Sequence, residues 1–360
     1  ELVGAEAAVT TWDRGQGNQP LPTYAGVHEV SYNAANVYVR STGLGGHIMG
    51  PWYLNEARTN LFPNYPANMG VIYRIPRDPG PVPVVKTLTG LGRIGLFVDG
   101  VSMFDSRDAF SYDTSAGQDD GPRGAGINGD DVWNRDAYVN EGVTFDAGNA
   151  HQAGRHYHYH TNPPGLRHLL GDSVDYNAPT NTYTENFNGS HSPILGWVRD
   201  GYPLFGPYGF SNATDPDSQV TRMRSGFRLR NITQRRILPA FAARDQGYTS
   251  AGDTSEYQLP ANRYGPDVTA GDGSRYELGH YLEDYEYLGD FGLSQGVVFD
   301  LDEHNGRFCI TPEFPQGTYA YFVSIEEDGE PKFPYNIGRK YYGNPSANTV
   351  NVLPPDAQVV

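Results

Sequence analysis

The stretch RHYHYH at residues 155–160 is the part of the chain around which the predicted fold and its chemistry are organised. Imidazole and phenol side chains alternate over its last five residues. Successive side chains of an extended strand point to opposite faces, whereas a helix would spread the same histidines over roughly 200° of arc. The alternation therefore predicts a β-strand with histidines on one face and tyrosines on the other. The histidine face carries His156, His158 and His160, and the tyrosine face carries Tyr157 and Tyr159.

The histidine face predicts a metal site. Side chains two residues apart on a strand lie about 6.6–6.8 Å from each other, so two imidazoles can converge on one ion. A third ligand from a neighbouring strand or loop would complete the site. We place His158 and His160 first, because two imidazoles on one face with no carboxylate between them need something to share their lone pairs. His156 ranks below them, since it is farther along the row.

The ligand types that the chain offers favour particular metals. Cys309 is the single cysteine, and its alternating strand context predicts a small buried residue rather than a ligand. An all-imidazole site without thiolate suits copper or zinc better than iron or nickel. The surrounding tyrosines are compatible with copper redox chemistry, although stacking and strand propensity explain them equally well. We expect copper ahead of zinc.

Charge and hydropathy limit the partners. The formal net charge of −16 argues against nucleic acid and anionic membranes as partners, because both require a basic surface. No apolar run approaches the roughly 18 residues of a membrane-spanning helix, so no membrane insertion is expected. The acidic balance suits a secreted, periplasmic or cell-surface protein. Carboxylates at residues 105–135 and 300–305 could bind Ca²⁺, although a solvated loop and a capped turn are the simpler interpretations.

Glycine, proline and tyrosine are abundant, which indicates many turns and strands and few long helices. Turn signals recur every 8–12 residues or so, a spacing typical of an antiparallel β sandwich or barrel-like domain with long loops and few short helices. We divide the chain into an N-terminal arm (1–23), one β domain (24–345) with a probable insertion at 211–275, and a C-terminal tail (346–360). Strands are expected at residues 27–32, 37–41, 69–76, 82–88, 94–98, 192–199, 297–301, 308–311 and 318–324.

Several motifs, taken in order, resemble the YHYH-domain family. The stretch YHYH at 157–160 is followed by two prolines, then by HSPILG at 191–196 and RDGYPLFGPY at 199–208. GHIMGPW at 46–52, IGLFVDGV at 94–101 and DLDEHNGRF at 300–308 are similar to other parts of the family pattern. The resemblance implies a metal site in a family whose biochemistry is poorly defined. The positions that match its motif histidines are His47, His151, His158, His160 and His191.

Three functions remain open from the sequence. The first is a metal-binding protein with a copper-preferring histidine site, with redox activity left undecided. The second is a zinc-dependent hydrolase, in which Asp200 would serve as the base beside a zinc-bound water. The third is a non-catalytic module that binds carbohydrate, a small molecule or a surface through exposed aromatic side chains. We expect Tyr157, Tyr159 and Asp200 to surround the metal ligands.

Overall fold

Two β-sheets contain most of the strand residues in a computed structural model that describes residues 9–10, 23–120, 129–269 and 276–360. The strands are β1 (Val9–Thr10), β2 (Thr23–Tyr24), β3 (Val27–Tyr32), β4 (Asn36–Ser41), β5 (Val71–Pro76), β6 (Arg93–Phe97), β7 (Ser102–Phe104), β8 (Arg107–Asp113), β9 (Gln118–Asp120), β10 (Asn134–Asp136), β11 (Ala150–Ala153), β12 (His156–Tyr159), β13 (Val174–Asn177), β14 (Thr182–Glu185), β15 (Ile194–Val198), β16 (Pro203–Phe205), β17 (Tyr208–Phe210), β18 (Val220–Arg222), β19 (Phe227–Leu229), β20 (Ile237–Leu238), β21 (Tyr257–Gln258), β22 (Tyr285–Tyr287), β23 (Gly306–Cys309), β24 (Thr318–Phe322), β25 (Asn348–Val350) and β26 (Gln358–Val359). The helices are α1 (Ala137–Glu141), α2 (Pro164–Leu169) and α3 (Ala240–Asp245), with short 3₁₀ turns at Gly142–Thr144, Ala261–Arg263, Leu282–Asp284 and Leu288–Phe291.

The larger sheet has eight strands in the order β11-β12-β7-β6-β15-β16-β24-β23. The pairs β12–β7 and β16–β24 are parallel, and the other neighbours in this sheet are antiparallel. Tight turns at Gly100 (φ +84°) and Gly201 (φ +87°) join β6 to β7 and β15 to β16. A left-handed φ is easily adopted only by glycine, which explains the Asp-Gly dipeptide at both turns.

The smaller sheet has five antiparallel strands in the order β25-β5-β4-β3-β26 and packs against the larger one. Tyr73 and Ile75 of β5 form a buried cluster with Leu96 of β6, and Trp197 of β15 packs against it. A buried hydrogen bond of 2.6 Å also joins the hydroxyl of Tyr73 to that of Ser102 on β7. The predicted mostly antiparallel, sandwich-like β fold is confirmed.

The tyrosine face of β12 forms part of the main hydrophobic core. Tyr157 and Tyr159 are both fully buried. The ring of Tyr159 makes an edge contact with Phe97, with ring centroids 5.1 Å apart, and Tyr157 makes a similar contact with Trp52 at 6.1 Å. Because side chains alternate along a strand, this packing directs the histidine face of β12 away from the core.

Two of the predicted strands are wrong. Residues 82–88 and 297–301 have no extended strand in the structure. Val84 is 97% exposed and Val297 is 70% exposed, although Phe299 and Leu301 of the second segment are buried. Pro81 and Pro83 also lack the N–H groups that a strand ladder needs. The hydrophobic alternation of these segments therefore did not indicate a strand.

The acidic region, where it is described at 105–120 and 129–135, contains strands rather than the solvated loop we expected. It forms β8, β9 and β10, which pair as a three-stranded sheet. Among its described carboxylates, Asp105, Asp108 and Asp119 are buried, and the first two lie beside arginines. Asp105 lies 3.0 Å from Arg107 and 2.8 Å from Arg339, and Asp108 lies 2.7 Å from Arg135. Such pairs allow charged groups to leave water.

The structure does not test the predicted domain limits, which stay a prediction. Most of the N-terminal arm lies outside the described residues. The segment 346–360 supplies both edge strands of the smaller sheet, β25 and β26. Within 211–275, buried Arg235 pairs with Asp284 at 2.7 Å. Among the described residues, no helix has both the length and the apolar character needed to cross a membrane.

Candidate metal centre

A β-hairpin brings the first two histidines of the site together. Strands β11 and β12 are joined by a two-residue turn, at which Gly154 has a φ of +63°. The register of this hairpin places His151 directly opposite His158. His160 follows immediately after β12, and its ring reaches the same point. One ligand atom from each of the three imidazoles lies within 4.8 Å of the others, and all three side chains are buried.

Hydrogen bonds fix which nitrogen of each ring faces this point. Nδ1 of His158 donates to the carbonyl of His156 at 2.8 Å, and Nδ1 of His160 donates to the carbonyl of Asp105 at 2.6 Å. The hydroxyl of Thr144 donates to the carbonyl of Glu141, so it accepts from Nδ1 of His151 at 2.7 Å. Because every Nδ1 carries the proton, every Nε2 presents a lone pair.

The two lone pairs on neighbouring rings are aimed at each other. The Nε2 atoms of His158 and His160 lie 3.0 Å apart. Ligand atoms held about 2.0–2.1 Å from one ion at angles of about 90–110° lie roughly 2.9–3.4 Å apart, so this spacing is that of two ligands to the same metal. Oxygen or backbone acceptors at the distal nitrogen are the usual arrangement around metal-binding histidines.

Burial keeps the three imidazoles neutral. It lowers the pKa of His160 to about 4, and it lowers the pKa values of His151 and His158 well below the ordinary value for histidine. Mutual repulsion among the three rings lowers the pKa values of His151 and His158 further. A neutral imidazole is the form that binds a transition metal, so the site is prepared for an ion without first having to release protons.

A carboxylate that the sequence did not single out completes the group. Oε2 of Glu141, at the end of α1, lies 3.4 Å from Nε2 of His160 and 3.6 Å from Nε2 of His151. Burial, together with the nearby carboxylate of Asp108, raises the pKa of Glu141 to about 8. Glu141 therefore holds a proton more readily than an ordinary glutamate, and it would release that proton on serving as a fourth ligand.

The centre lines an open pocket of about 380 Å³. Glu141 and the three histidines contribute to its wall, and much of the remaining surface is apolar. The apolar lining includes Leu54, Phe62, Pro63, Leu91 and Phe104. The ring of Phe104 stacks on that of His158, with centroids 3.8 Å apart and an interplanar angle of 18°. A small molecule could therefore reach the metal-binding atoms from the outside.

His156, the remaining histidine of β12, lies outside the three-histidine group. Nε2 of His156 is hydrogen bonded to the hydroxyl of Ser102 at 2.7 Å, and Ser102 is in turn bonded to Tyr73. His156 is half-buried and its ring centroid is 6.3 Å from that of His158. It joins a polar chain between the sheets rather than the three-histidine group.

His47 lies with Tyr157 and Tyr159 on the opposite face of β12. Its Nε2 is 3.0 Å from the hydroxyl of Tyr157, and its Nδ1 is 3.4 Å from that of Tyr159. The two hydroxyls donate to Asp146 at 2.7 Å and to Asp99 at 3.3 Å. A Cβ on Gly148 would lie 2.3 Å from Nε2 of His47, so the ring fits only because that residue is glycine. This buried network packs on the tyrosine face of β12, opposite the three-histidine group.

His191 and Asp200 are also outside the three-histidine group. Nδ1 of His191 donates to the carbonyl of Ser192 at 2.7 Å, and its ring lies against Phe205 and Phe210. Asp200 accepts hydrogen bonds from the hydroxyl of Tyr321 at 2.6 Å and from the backbone N–H of Gly343 at 2.8 Å. Asp200 is thus occupied in the core of the larger sheet.

The acidic turn at 300–305 is a capped turn whose carboxylates bind protein groups. Asp300 pairs with Arg224 at 2.8 Å, and Glu303 pairs with Arg244 at 3.0 Å. Asp302 accepts from the hydroxyl of Tyr319 at 2.9 Å. These contacts leave few free oxygen ligands for a calcium ion.

Comparison with known proteins gives one match. The family model described as YHYH protein matches residues 72–332, which include His151, His158, His160 and Glu141. No curated protein and no solved structure matches the chain. Since the family model covers well over half of the sequence, the chain belongs to the YHYH family.

Proposed function

We propose that this member of the YHYH family is a transition-metal-binding protein whose ion is held by His151, His158 and His160. Glu141 lies close enough to two of these ligands to occupy a fourth position. The three histidines come from one hairpin and the residue that follows it, and the carbonyl of Asp105 orients the third ring.

The observation that carries the proposal is the contact between two unprotonated nitrogens. Nε2 of His158 and Nε2 of His160 are 3.0 Å apart, and both Nδ1–H groups already donate to backbone carbonyls. Two lone pairs at this distance repel each other unless a cation lies between them. Burial disfavours a proton in that role, because it lowers both pKa values. A metal ion removes the repulsion.

Copper is the first candidate for the ion and zinc the second. Three neutral imidazoles with a nearby carboxylate form a donor set that binds both, and affinity for such sites is highest for copper in the divalent first-row series. The single cysteine, Cys309, lies in β23 in a separate hydrophobic cluster, so it supplies no thiolate to the centre. A copper ion here would supply one-electron chemistry to a molecule in the pocket.

The pocket gives a second candidate, zinc-dependent hydrolysis. A closed site would suit storage or transport, whereas this centre lines a cavity of about 380 Å³. A zinc ion with an open position lowers the pKa of water toward about 7. Glu141 would then be the base, because Asp200 is held by Tyr321 and Gly343.

Calcium is not part of the proposal, because arginines and a tyrosine hold the carboxylates of the turn at 300–305. A secreted, periplasmic or cell-surface location remains part of it and rests on the acidic charge. Fractionation of the native source would test that location directly, since the protein should leave with the extracellular, periplasmic or surface fraction.

The experiment is a metal titration of chelator-treated protein with Cu²⁺ and with Zn²⁺, in competition with a chromophoric chelator. We expect one ion per chain for either metal and tighter binding of copper. His158→Ala and His160→Ala should each weaken binding by at least about 100-fold. Loss of a residue that only supports a metal ligand costs about 10–100-fold in affinity, and loss of a ligand itself should cost at least the upper end of that range. The copper form should show nitrogen couplings in its EPR spectrum.

His168→Ala is the matched control. His168 is an exposed histidine whose Nδ1 donates to the carbonyl of Val174, so its loss removes an imidazole without touching the centre. It should bind metal like the parent chain. Protein that takes up neither ion at micromolar concentration, or histidine variants that bind as well as the control, would contradict the proposal.

A further inference from the structure

A second cleft, of about 360 Å³, opens between the two sheets and is lined by three arginines. Arg74 is on β5, Arg93 is on β6 and Arg199 follows β15. All three are half-buried. Within the described parts of the chain, none of them has a carboxylate at ion-pair distance.

This absence of carboxylates is unusual for the molecule. The chain carries a formal net charge of −16, and its other half-buried or buried arginines are commonly paired. Arg167 lies 2.6 Å from Asp172, and Arg235 lies 2.7 Å from Asp284. Guanidinium groups that are partly desolvated and lie close together without counter-charges raise the free energy of the folded protein. An anionic ligand would offset that cost.

The hydrogen bonds of the arginine side chains use only some of their donors. Nη2 of Arg74 donates to the carbonyl of Ser346, and Nε of Arg199 donates to the carbonyl of Ala347, both at 2.9 Å. These bonds tie the segment before β25 to the sheets. A guanidinium has five N–H donors in a fork, so both side chains keep donors for a ligand.

Arg93 is the least satisfied of the three. Its Nε is buried and has no hydrogen-bond acceptor in the part of the chain that the structure describes. Its guanidinium carbon lies 5.1 Å from the centre of the Tyr73 ring, a cation–π contact that holds the side chain but uses none of its planar donors. A buried donor without a protein acceptor calls for another partner, such as an ordered water or a ligand.

Much of the rest of the lining is apolar, and it includes an aromatic ring. Ile75, Leu96 and Trp197 contribute to the wall, as does Leu91. We propose that the cleft binds a small organic anion, whose carboxylate or phosphate group bonds to the arginine forks and whose apolar body lies against Trp197. A guanidinium can form paired hydrogen bonds to a carboxylate or to a phosphate group. The apolar wall favours a ligand that has an apolar part over a bare inorganic ion.

The cleft adjoins the pocket of the metal centre. Leu91, Gly92 and Phe104 line both cavities. Phe104 also stacks on His158, so the wall between the cavities includes a side chain that contacts the histidine site. The arginines themselves belong only to the cleft, so anion binding does not depend on the metal proposal and can be measured on metal-free protein.

The test is calorimetric titration of the chelator-treated full chain with benzoate, phenyl phosphate and inorganic phosphate. Benzyl alcohol serves as the neutral probe. We expect saturable, salt-sensitive binding of at least one aromatic anion, weaker binding of inorganic phosphate and none of the alcohol. The two aromatic anions distinguish carboxylate from phosphate as the preferred group. Saturation by inorganic phosphate alone, or by no probe, would overturn the proposal.

Arginine variants then locate the binding. Arg93→Gln and Arg199→Gln should each weaken binding of the aromatic anion by about 10-fold or more, the size of effect expected from loss of a charge-assisted hydrogen bond. Arg40→Gln is the control, because Arg40 lies on β4 of the same smaller sheet, outside the cleft, beside Glu29. Equal effects in all three variants, or no effect in the first two, would overturn the assignment.

A fold check accompanies each titration. If Arg93→Gln melts early, Arg93→Lys keeps the charge but loses the fork and should bind with intermediate affinity. Arg74→Gln, which loses a solvent-exposed hydrogen bond to the carbonyl of Ser346, should fold normally and still weaken binding. Unchanged affinity in both of these variants would count against the cleft.

Discussion

The Nε2 atoms of His158 and His160 face each other at 3.0 Å, and both are lone-pair nitrogens. Their Nδ1 protons are bonded to the carbonyls of His156 and Asp105, so neither ring can turn its proton toward the other without losing a short hydrogen bond. In a buried site this arrangement is unfavourable for the protein alone. It becomes favourable when a cation binds, which is why we treat it as the central feature of the molecule.

The first prediction concerns Glu141. Glu141→Gln should keep one metal ion per chain but weaken its binding by about 10–100-fold, because three imidazoles remain and one negatively charged oxygen is lost. The same chelator competition measures it. Asp120→Asn, a change of one carboxylate on β9, should leave affinity unchanged. If Glu141→Gln binds metal as tightly as the parent chain, the carboxylate has no place at the centre.

The second prediction separates His156 from the ligands. His156→Ala should retain metal binding within about twofold, since its Nε2 is bonded to Ser102 and faces the polar chain to Tyr73. It should lower the free energy of unfolding by about 1–3 kcal/mol, the cost of leaving a buried polar group with one partner fewer. Urea unfolding and metal titration measure the two effects. Loss of the ion in this variant would place His156 in the coordination sphere.

The third prediction concerns the tyrosine face. Tyr157→Phe removes a hydroxyl that donates to Asp146 and contacts His47. Because these groups are fully inside the protein, the change should cost about 1–3 kcal/mol of unfolding free energy. Metal affinity should hardly change, since the hydroxyl lies on the opposite face of β12. A large loss of affinity without loss of stability would show that the tyrosine network acts on the metal.

The fourth prediction is a dependence of stability on pH through Asp136. Burial raises the pKa of Asp136 to about 7, against hydrogen bonds from the hydroxyl of Tyr335 and the N–H of Val139 that lower it. The neighbouring carboxylate of Asp108, whose own pKa burial raises to about 7, adds to the rise. The folded protein therefore holds a proton that the unfolded chain releases above about pH 4.

The sign follows from that difference. Stability falls as the pH rises from about 4 to 7, because the unfolded state binds fewer protons than the folded state over this window. Asp136→Asn removes the titration and keeps an oxygen to cap α1. Between pH 5 and pH 8 the variant should lose less unfolding free energy than the parent chain, by about 1 kcal/mol or more. Parallel stability curves for the two proteins would contradict the raised pKa.

Alternation along the chain predicted the strand and two of the three clustered histidines, because alternation along β12 is a local property. His151 could have been found in the same way. Gly154 and the residue after it form a two-residue turn, and counting back from that turn places His151 opposite His158. The family resemblance included His151, but it also included His47 and His191, which the fold carries elsewhere.

Glu141 could not be predicted from the sequence. It is one acidic residue among many, and it reaches the centre only because α1 packs beside β8 and the hairpin. The parallel pairings of β12 with β7 and of β16 with β24 are similarly non-local. Pairing between distant strands depends on tertiary packing, which hydrophobic alternation does not encode, and the wrong strands at 82–88 and 297–301 show the same limit.

The most direct test is anomalous diffraction from crystals of copper-loaded protein, collected on both sides of the copper absorption edge. The account predicts one strong anomalous peak per chain, about 2.0–2.1 Å from Nε2 of His151, His158 and His160. A crystal soaked in zinc should place its peak at the same point. A peak bound elsewhere, or an ordered histidine cluster with no anomalous density between the rings, would contradict it.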